Sequence, residues 1–188
     1  MTVTTLDPTS ALIVVDLQQG IVGLPLAHPV AGVVERSAAL LTAFRDRGLP
    51  VVLVNVAGSP AGRTDRGAMG GARSFAEGWT DLIPELAQQP EDILVTKRAR
   101  SAFTGTGLTE RLRALGVTQV VVTGIATASG VESTARDAHE QGFHVTLPVD
   151  AMTDSTLASH EHSIAQSFPR IAETGTTQDV LDALAAQG

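Results

Sequence analysis

A chain of 188 residues is long enough for one domain with a full core, and 43% hydrophobic against 18% charged residues excludes a disordered polymer. A formal net charge of −7 argues against a phosphate backbone as partner, because nucleic acid is held chiefly by Lys and Arg. The absence of Cys excludes thiolate catalysis, disulfides and Cys-ligated zinc. In chain order, the apolar run Ala11–Val15 between Ser10 and Asp16 predicts a buried parallel strand. The spacing of Val33, Val34, Leu40, Leu41 and Phe44 predicts a helix over 30–47, closed by Gly48. Residues 50–56 form a second strand, and 57–78 a Gly-rich stretch without periodicity, the kind of long loop used as a lid, binding loop or oligomer contact. A short helix over 81–88 and a third strand over 92–96 follow.

The second half repeats the alternation. A helix over 108–115 closes at Gly116, a fourth strand spans 118–123, and a helix over 131–141 stops at Gly142. A fifth strand over 143–149, a helix over 155–168, a short sixth strand over 171–173 and a final helix over 177–186 capped by Thr176 or Thr177 complete the pattern. Strands alternating with helices predict an α/β fold: one domain over 1–188, a three-layer, doubly wound, mostly parallel six-stranded sheet with helices on both faces. The apolar runs are too short to span about 30 Å of hydrocarbon, so no membrane partner is expected. The opening MTVTTLDPTS has no basic region followed by an apolar stretch, so no secretory signal is expected and the cytoplasm is the expected location. Apolar composition and the long loop suggest a homo-oligomer, dimer or tetramer.

Ligands of parallel sheets bind beyond the carboxyl ends of the strands, which directs attention to three features. Asp16 directly follows the first strand. Lys97, the one Lys beside 12 Arg, follows the third. The segment 123–131 joins the fourth strand to the next helix, whose N-terminal amides suit an oxyanion or carboxylate. Together they bring an acid, an ammonium and free backbone amides to one edge. Burial would keep the Asp16 carboxyl protonated while a nearby ammonium would ionise it, and the sequence leaves the winner open. An aspartate after a strand also commonly caps a helix, and Lys97 beside Arg98 and Arg100 is also consistent with a loop charge.

The strings VVDLQQGI, VTKRARSAFTGTGL and VVTGIATASGVESTARDAHEQGFHVTLPVDAMTD closely resemble the isochorismatase-like hydrolases, or cysteine hydrolase superfamily, over nearly the whole chain. The resemblance implies a doubly wound sheet and an Asp–Lys–Cys triad in which Asp16 and Lys97 match the first two members. The Cys position is occupied by Gly130, so the thioester route to amide hydrolysis is closed. Ser129 is the nearest hydroxyl. The isochorismatase branch likewise places glycine there and works without a covalent intermediate, its acid protonating an enol ether that water then cleaves. On that pattern Asp16 is the general acid, Lys97 its electrostatic partner, and Gly130 leaves room in the nucleophile's place.

The resemblance also implies a cis peptide at Ile125–Ala126, aiming the Ala126 and Gly130 amides into an oxyanion-type cradle, and pocket positions at Gln18 and Phe103. Asn55 stands near where isochorismatases carry a Gln, and Trp79 is a candidate pocket wall. Arg98, Arg100 and the loop residues Arg63, Arg66 and Arg73 are candidates to hold an anionic substrate. The family's nicotinamidases bind a metal through an Asp and two His in the loop after the second strand. Residues 57–78 contain no His, so no metal is expected, nor any other cofactor. The expected function is non-covalent hydrolysis of a small anionic substrate of the isochorismate type. The alternatives are a binding module that lost its nucleophile, or an amide hydrolase using water activated by Asp16.

Overall fold

The computed structural model describes residues 3–60, 62–65, 67–68 and 75–187. β1 (Ser10–Val15) leads to a short helix α1 (Gln19–Val22), then α2 (Val30–Arg45) and β2 (Val51–Val56). Within the expected loop, β3 (Arg63–Thr64) and β4 (Gly67–Ala68) pair antiparallel as a hairpin. β5 (Ile93–Lys97), α3 (Leu108–Ala114), β6 (Gln119–Ile125) and α4 (Glu132–Glu140) follow. β7 (His144–Pro148), β8 (Met152–Thr153), α5 (Leu157–His162), β9 (Glu173–Gly175) and α6 (Thr177–Ala185) close the order.

The main sheet is parallel, in the order β5-β2-β1-β6-β7-β9, with the two-residue β8 also pairing with β6. It therefore has seven strands where the sequence suggested six. β1 and β6 lie in the middle and are buried along their whole length, which is why each reads as a nearly continuous apolar run. The edge strand β5 alternates buried Ile93, Val95 and Lys97 with exposed Leu94 and Thr96.

Alternate residues of the central strands feed two cores. On one face Leu12, Val14 and Leu53 meet Leu40, Leu41 and Phe44 of α2 together with Val180 and Leu184 of α6. On the other, Ile13, Val15, Val54 and Val122 meet Leu108 and Leu112 of α3 and Ala135 and Ala138 of α4. Each fully buried Leu or Phe contributes about 1.5–3 kcal/mol of apolar burial, so these two layers fix the strand ends rigidly. The cap on α6 is a full capping box: the Thr176 side chain accepts from Asp179 N–H, and the Asp179 carboxylate accepts from Thr176 N–H. Among the described residues no helix is long and apolar enough to cross a membrane.

Three expectations differ. The helix expected over 81–88 is a single 3-10 turn, Pro84–Leu86. Pro84 biases Ile83 toward extended backbone (φ −69°, ψ 145°), and Ala87 at φ 42° ends the turn. Leu82, just before it, makes an antiparallel bridge to Gln18. The helix expected over 131–141 starts earlier, as a π-helical turn Thr127–Val131 that runs into α4. The helix expected over 155–168 is broken into α5, a π-helical turn Ser163–Ser167 and a 3-10 turn Phe168–Arg170, which displaces the last strand to Glu173–Gly175.

Candidate active site

Parallel register brings the carboxyl ends of four strands together. Val15 lies opposite Val54 on one side and Gly124 on the other, and Lys97 lies opposite Val56. Asp16, one residue past β1, turns the chain with φ 55°, a left-handed conformation that Asp tolerates better than most residues. Gly124 has φ 115°, and a Cβ there would stand 2.0 Å from the Val15 carbonyl oxygen, so only glycine lets β6 lie this close to the end of β1.

Lys97 is two strands away from Asp16, with β2 between them, a separation of about 10 Å at the usual strand spacing. Only a long side chain bridges that gap. The Lys97 ammonium donates to Asp16 Oδ2 at 2.7 Å and, more weakly, to the Ala99 carbonyl at 3.4 Å. Both partners are buried, Lys97 2% and Asp16 5% exposed. Asp16 Oδ1 is buried without any hydrogen-bond partner among the described residues. Burial pushes the carboxyl up from 3.8 to about 6, against the charge and hydrogen bond of Lys97, which pull it down. Of the two opposing effects that the sequence left open, desolvation is the larger.

Asp16, Lys97, Ala126, Ser129 and Gly130 line one cavity of about 1010 Å³. The Ile125–Ala126 peptide is cis. A Cβ on Gly130 would stand 3.0 Å from Val15 Cγ1, 3.2 Å from Asp16 Oδ2 and 3.3 Å from the Ile125 carbonyl. The expected room in the nucleophile's place is therefore not at Gly130 itself, which is closely packed, but in the cavity beyond it. A side chain there would point its first atom at the acid.

Sequence reasoning missed Asp154, whose carboxylate accepts the Ala128 N–H at 2.7 Å and the Ser155 N–H at 2.7 Å. It is buried, and it holds the π-helical turn that carries Ser129 and Gly130. Its contact spans 26 residues, and no local pattern marks it.

Four expected pocket residues stand outside the cavity lining. Gln18 is fully buried, and its amide is committed to backbone: Oε1 accepts Val56 N–H at 2.7 Å, while Nε2 donates to the Val56 and Trp79 carbonyls at 3.2 and 3.1 Å. Asn55 donates to the Thr80 carbonyl at 2.8 Å. Together these two amides pin the Trp79–Thr80 segment to the ends of β1 and β2. The Trp79 indole covers Gly20 and stacks on Phe75 at 4.3 Å. Phe103 belongs to the core beneath α3 and stacks on Phe143. Of the arginines, Arg98 donates to the Ala57 carbonyl at 2.9 Å, Arg63 is exposed on the hairpin, and Arg100 lines the cavity. Arg66 and Arg73 lie outside the described residues.

The sequence and the fold are similar to those of known proteins. The isochorismatase family protein YecD of Escherichia coli O157:H7 is 39% identical over 183 residues, covering 94% of this chain and 96% of its own. An isochorismatase family protein from Burkholderia thailandensis superposes with a TM-score of 0.90 at 39% identity, covering 96% of this chain and 98% of its own. The maleamate amidohydrolase of Pseudomonas putida is 29% identical over 183 residues, covering 93% of this chain and 86% of its own. The isochorismatase domain model matches residues 10–179, from the first residue of β1 into α6, and so takes in every element that carries the site. By that domain match and these similarities, the chain belongs to the isochorismatase family and is an isochorismatase-like hydrolase.

Proposed function

We propose that this hydrolase cleaves a small anionic enol ether of the isochorismate type without a covalent intermediate, with Asp16 as general acid, Lys97 as its electrostatic partner and Gly130 in the nucleophile's place. The observation that carries the reading is the Asp16 carboxyl: buried, pushed up to about 6, with one oxygen held by Lys97 and the other without a hydrogen-bond partner among the described residues. An ammonium has only donors, so when Asp16 is protonated its proton belongs on Oδ1, the oxygen that Lys97 does not face. Near neutral pH such an acid is protonated often enough to act and acidic enough to release its proton.

The enol-ether double bond takes the Asp16 proton at its methylene carbon, and the ether oxygen lone pair stabilises the resulting oxocarbenium ion. Water adds to the ether-bearing carbon of that ion and returns a proton to the carboxylate. The hemiketal then collapses, its hydroxyl proton passing to the departing alkoxide oxygen, to give a ketone and an alcohol. The newly ionised Asp16 is stabilised by the Lys97 ammonium at 2.7 Å, so the pair lowers the cost of charge separation in a buried place.

The test is pyruvate release from isochorismate in D2O. One solvent deuteron in the pyruvate methyl group is expected, with activity lost in Asp16→Ala and Lys97→Ala. Full activity in Asp16→Ala would remove the acid assignment. A second reading, amide hydrolysis by water that ionised Asp16 activates, draws on the same unpartnered oxygen and on the similarity to the maleamate amidohydrolase. It requires the ionised carboxylate, so its rate rises with pH where the enol-ether reaction falls.

A further inference from the structure

We propose that Arg100 is the specificity-determining residue of this cavity and receives a carboxylate of the substrate; the assignment rests on the proposed use of the cavity for an anionic molecule. Four charged residues line the cavity among those described: Asp16, Asp65, Lys97 and Arg100. Lys97 is not free to hold an anion. Its ammonium is 2% exposed and committed to Asp16 and to the Ala99 carbonyl. Arg98, next in sequence, turns away to the Ala57 carbonyl and packs its stem over Gly58. Arg63 is exposed on the hairpin and outside the lining.

Arg100 is different. It lines the cavity, and its guanidinium has no hydrogen bond or ion pair among the described residues, so the planar fork that matches a carboxylate is unspent. Its backbone is held on both sides. Lys97 is anchored three residues before, and two residues after it Ala102 N–H donates to Thr134 Oγ1 at 3.0 Å, with Ala102 fully buried. A mobile charge would be a poor selector; this one projects from a fixed segment. Arg100 is itself exposed at the cavity, part of whose remaining wall is apolar, formed by Ile21, Leu24 and Leu26. Asp65 of the hairpin turn adds a negative charge to the lining, which disfavours a second anionic group near it.

The test is equilibrium binding by calorimetry, independent of turnover, with 2-(cyclohexyloxy)acrylate and its methyl ester as the charged and neutral probes. Wild type, Arg98→Gln, Arg100→Lys and Arg100→Gln are compared. The wild type is expected to prefer the acid over the ester by about tenfold or more, the usual worth of a charge-assisted pair. Arg100→Gln is expected to bring the two within about twofold. Arg100→Lys should keep part of the preference, and Arg98→Gln, which lies outside the lining, should keep all of it. Equal binding of acid and ester by the wild type, binding of neither, or a preference that survives Arg100→Gln would overturn the assignment. A preference that depends on Arg100 without any pyruvate formed by the wild type would uphold Arg100 and remove the proposed reaction, so the two ideas fail separately.

Discussion

Replacing Lys97 by Met removes the ammonium that opposes burial at Asp16 while keeping an unbranched side chain of similar reach. In the wild type the carboxyl stands at about 6 instead of 3.8, with burial the main cause and Lys97 opposing it. Deleting Lys97 moves it further up. A carboxyl raised on folding binds its proton more tightly in the native state, so the stability it supports is fully present below about pH 4 and declines as pH rises through the folded value. For the wild type the whole decline is roughly 3 kcal/mol, about 2 of it between pH 4 and 6, and it is complete about one unit above 6. In Lys97→Met the decline continues, at about 1.4 kcal/mol for each further pH unit until the displaced carboxyl ionises. Urea unfolding at pH 5, 6, 7 and 8 reads this directly, with Lys97→Met/Asp16→Asn as the control that abolishes it. The single variant and wild type should run parallel up to pH 6 and then diverge by about 1–3 kcal/mol. A Lys97→Met protein that is equally stable at pH 6 and 8, or gains stability, would refute the opposition of burial and charge.

Two further substitutions probe how the site is built. Gly130→Cys places a Cβ 3.0 Å from Val15 Cγ1 and 3.3 Å from the Ile125 carbonyl, so a loss of about 1–3 kcal/mol is expected in thermal unfolding. Combining it with Val15→Ala should cost less than the sum of the two single changes, and strict additivity would contradict the crowding. Gln18→Leu orphans the Val56 N–H and deprives the Val56 and Trp79 carbonyls of a donor; about 3 kcal/mol or more is expected in urea, with a change in the fluorescence of Trp79. A loss below about 1 kcal/mol would show that Gln18 is not the clamp described.

How much of this was legible in the sequence depends on the range of the signal. The central strands announced themselves because a doubly buried strand needs apolar residues at every position, and SALIVV and QVVVTGI supply them in unbroken or nearly unbroken runs. Asp16 and Lys97 were legible as polar residues at the ends of such runs, on the edge where parallel sheets bind ligands. The helix over 81–88 was not, because a strand-like bridge from Leu82 to Gln18 and the restriction Pro84 places on Ile83 outweigh local periodicity. Nor was the true part played by Gln18 and Asp154. Their partners lie 38, 61 and 26 residues away, and hydrogen bonds to distant backbone leave no spacing to read. The seventh strand escaped for a simpler reason: two residues, Met152 and Thr153, are too few to form a pattern.

The sharpest test of Asp16 as the proton donor is the pH dependence of pyruvate release from isochorismate between pH 5 and 8. General-acid action by a carboxyl near 6 predicts a plateau below that value and a tenfold fall per unit well above it, with Asp16→Asn slower by about a hundredfold or more throughout. A rate that climbs through pH 6, or that survives unchanged in Asp16→Asn, would contradict it.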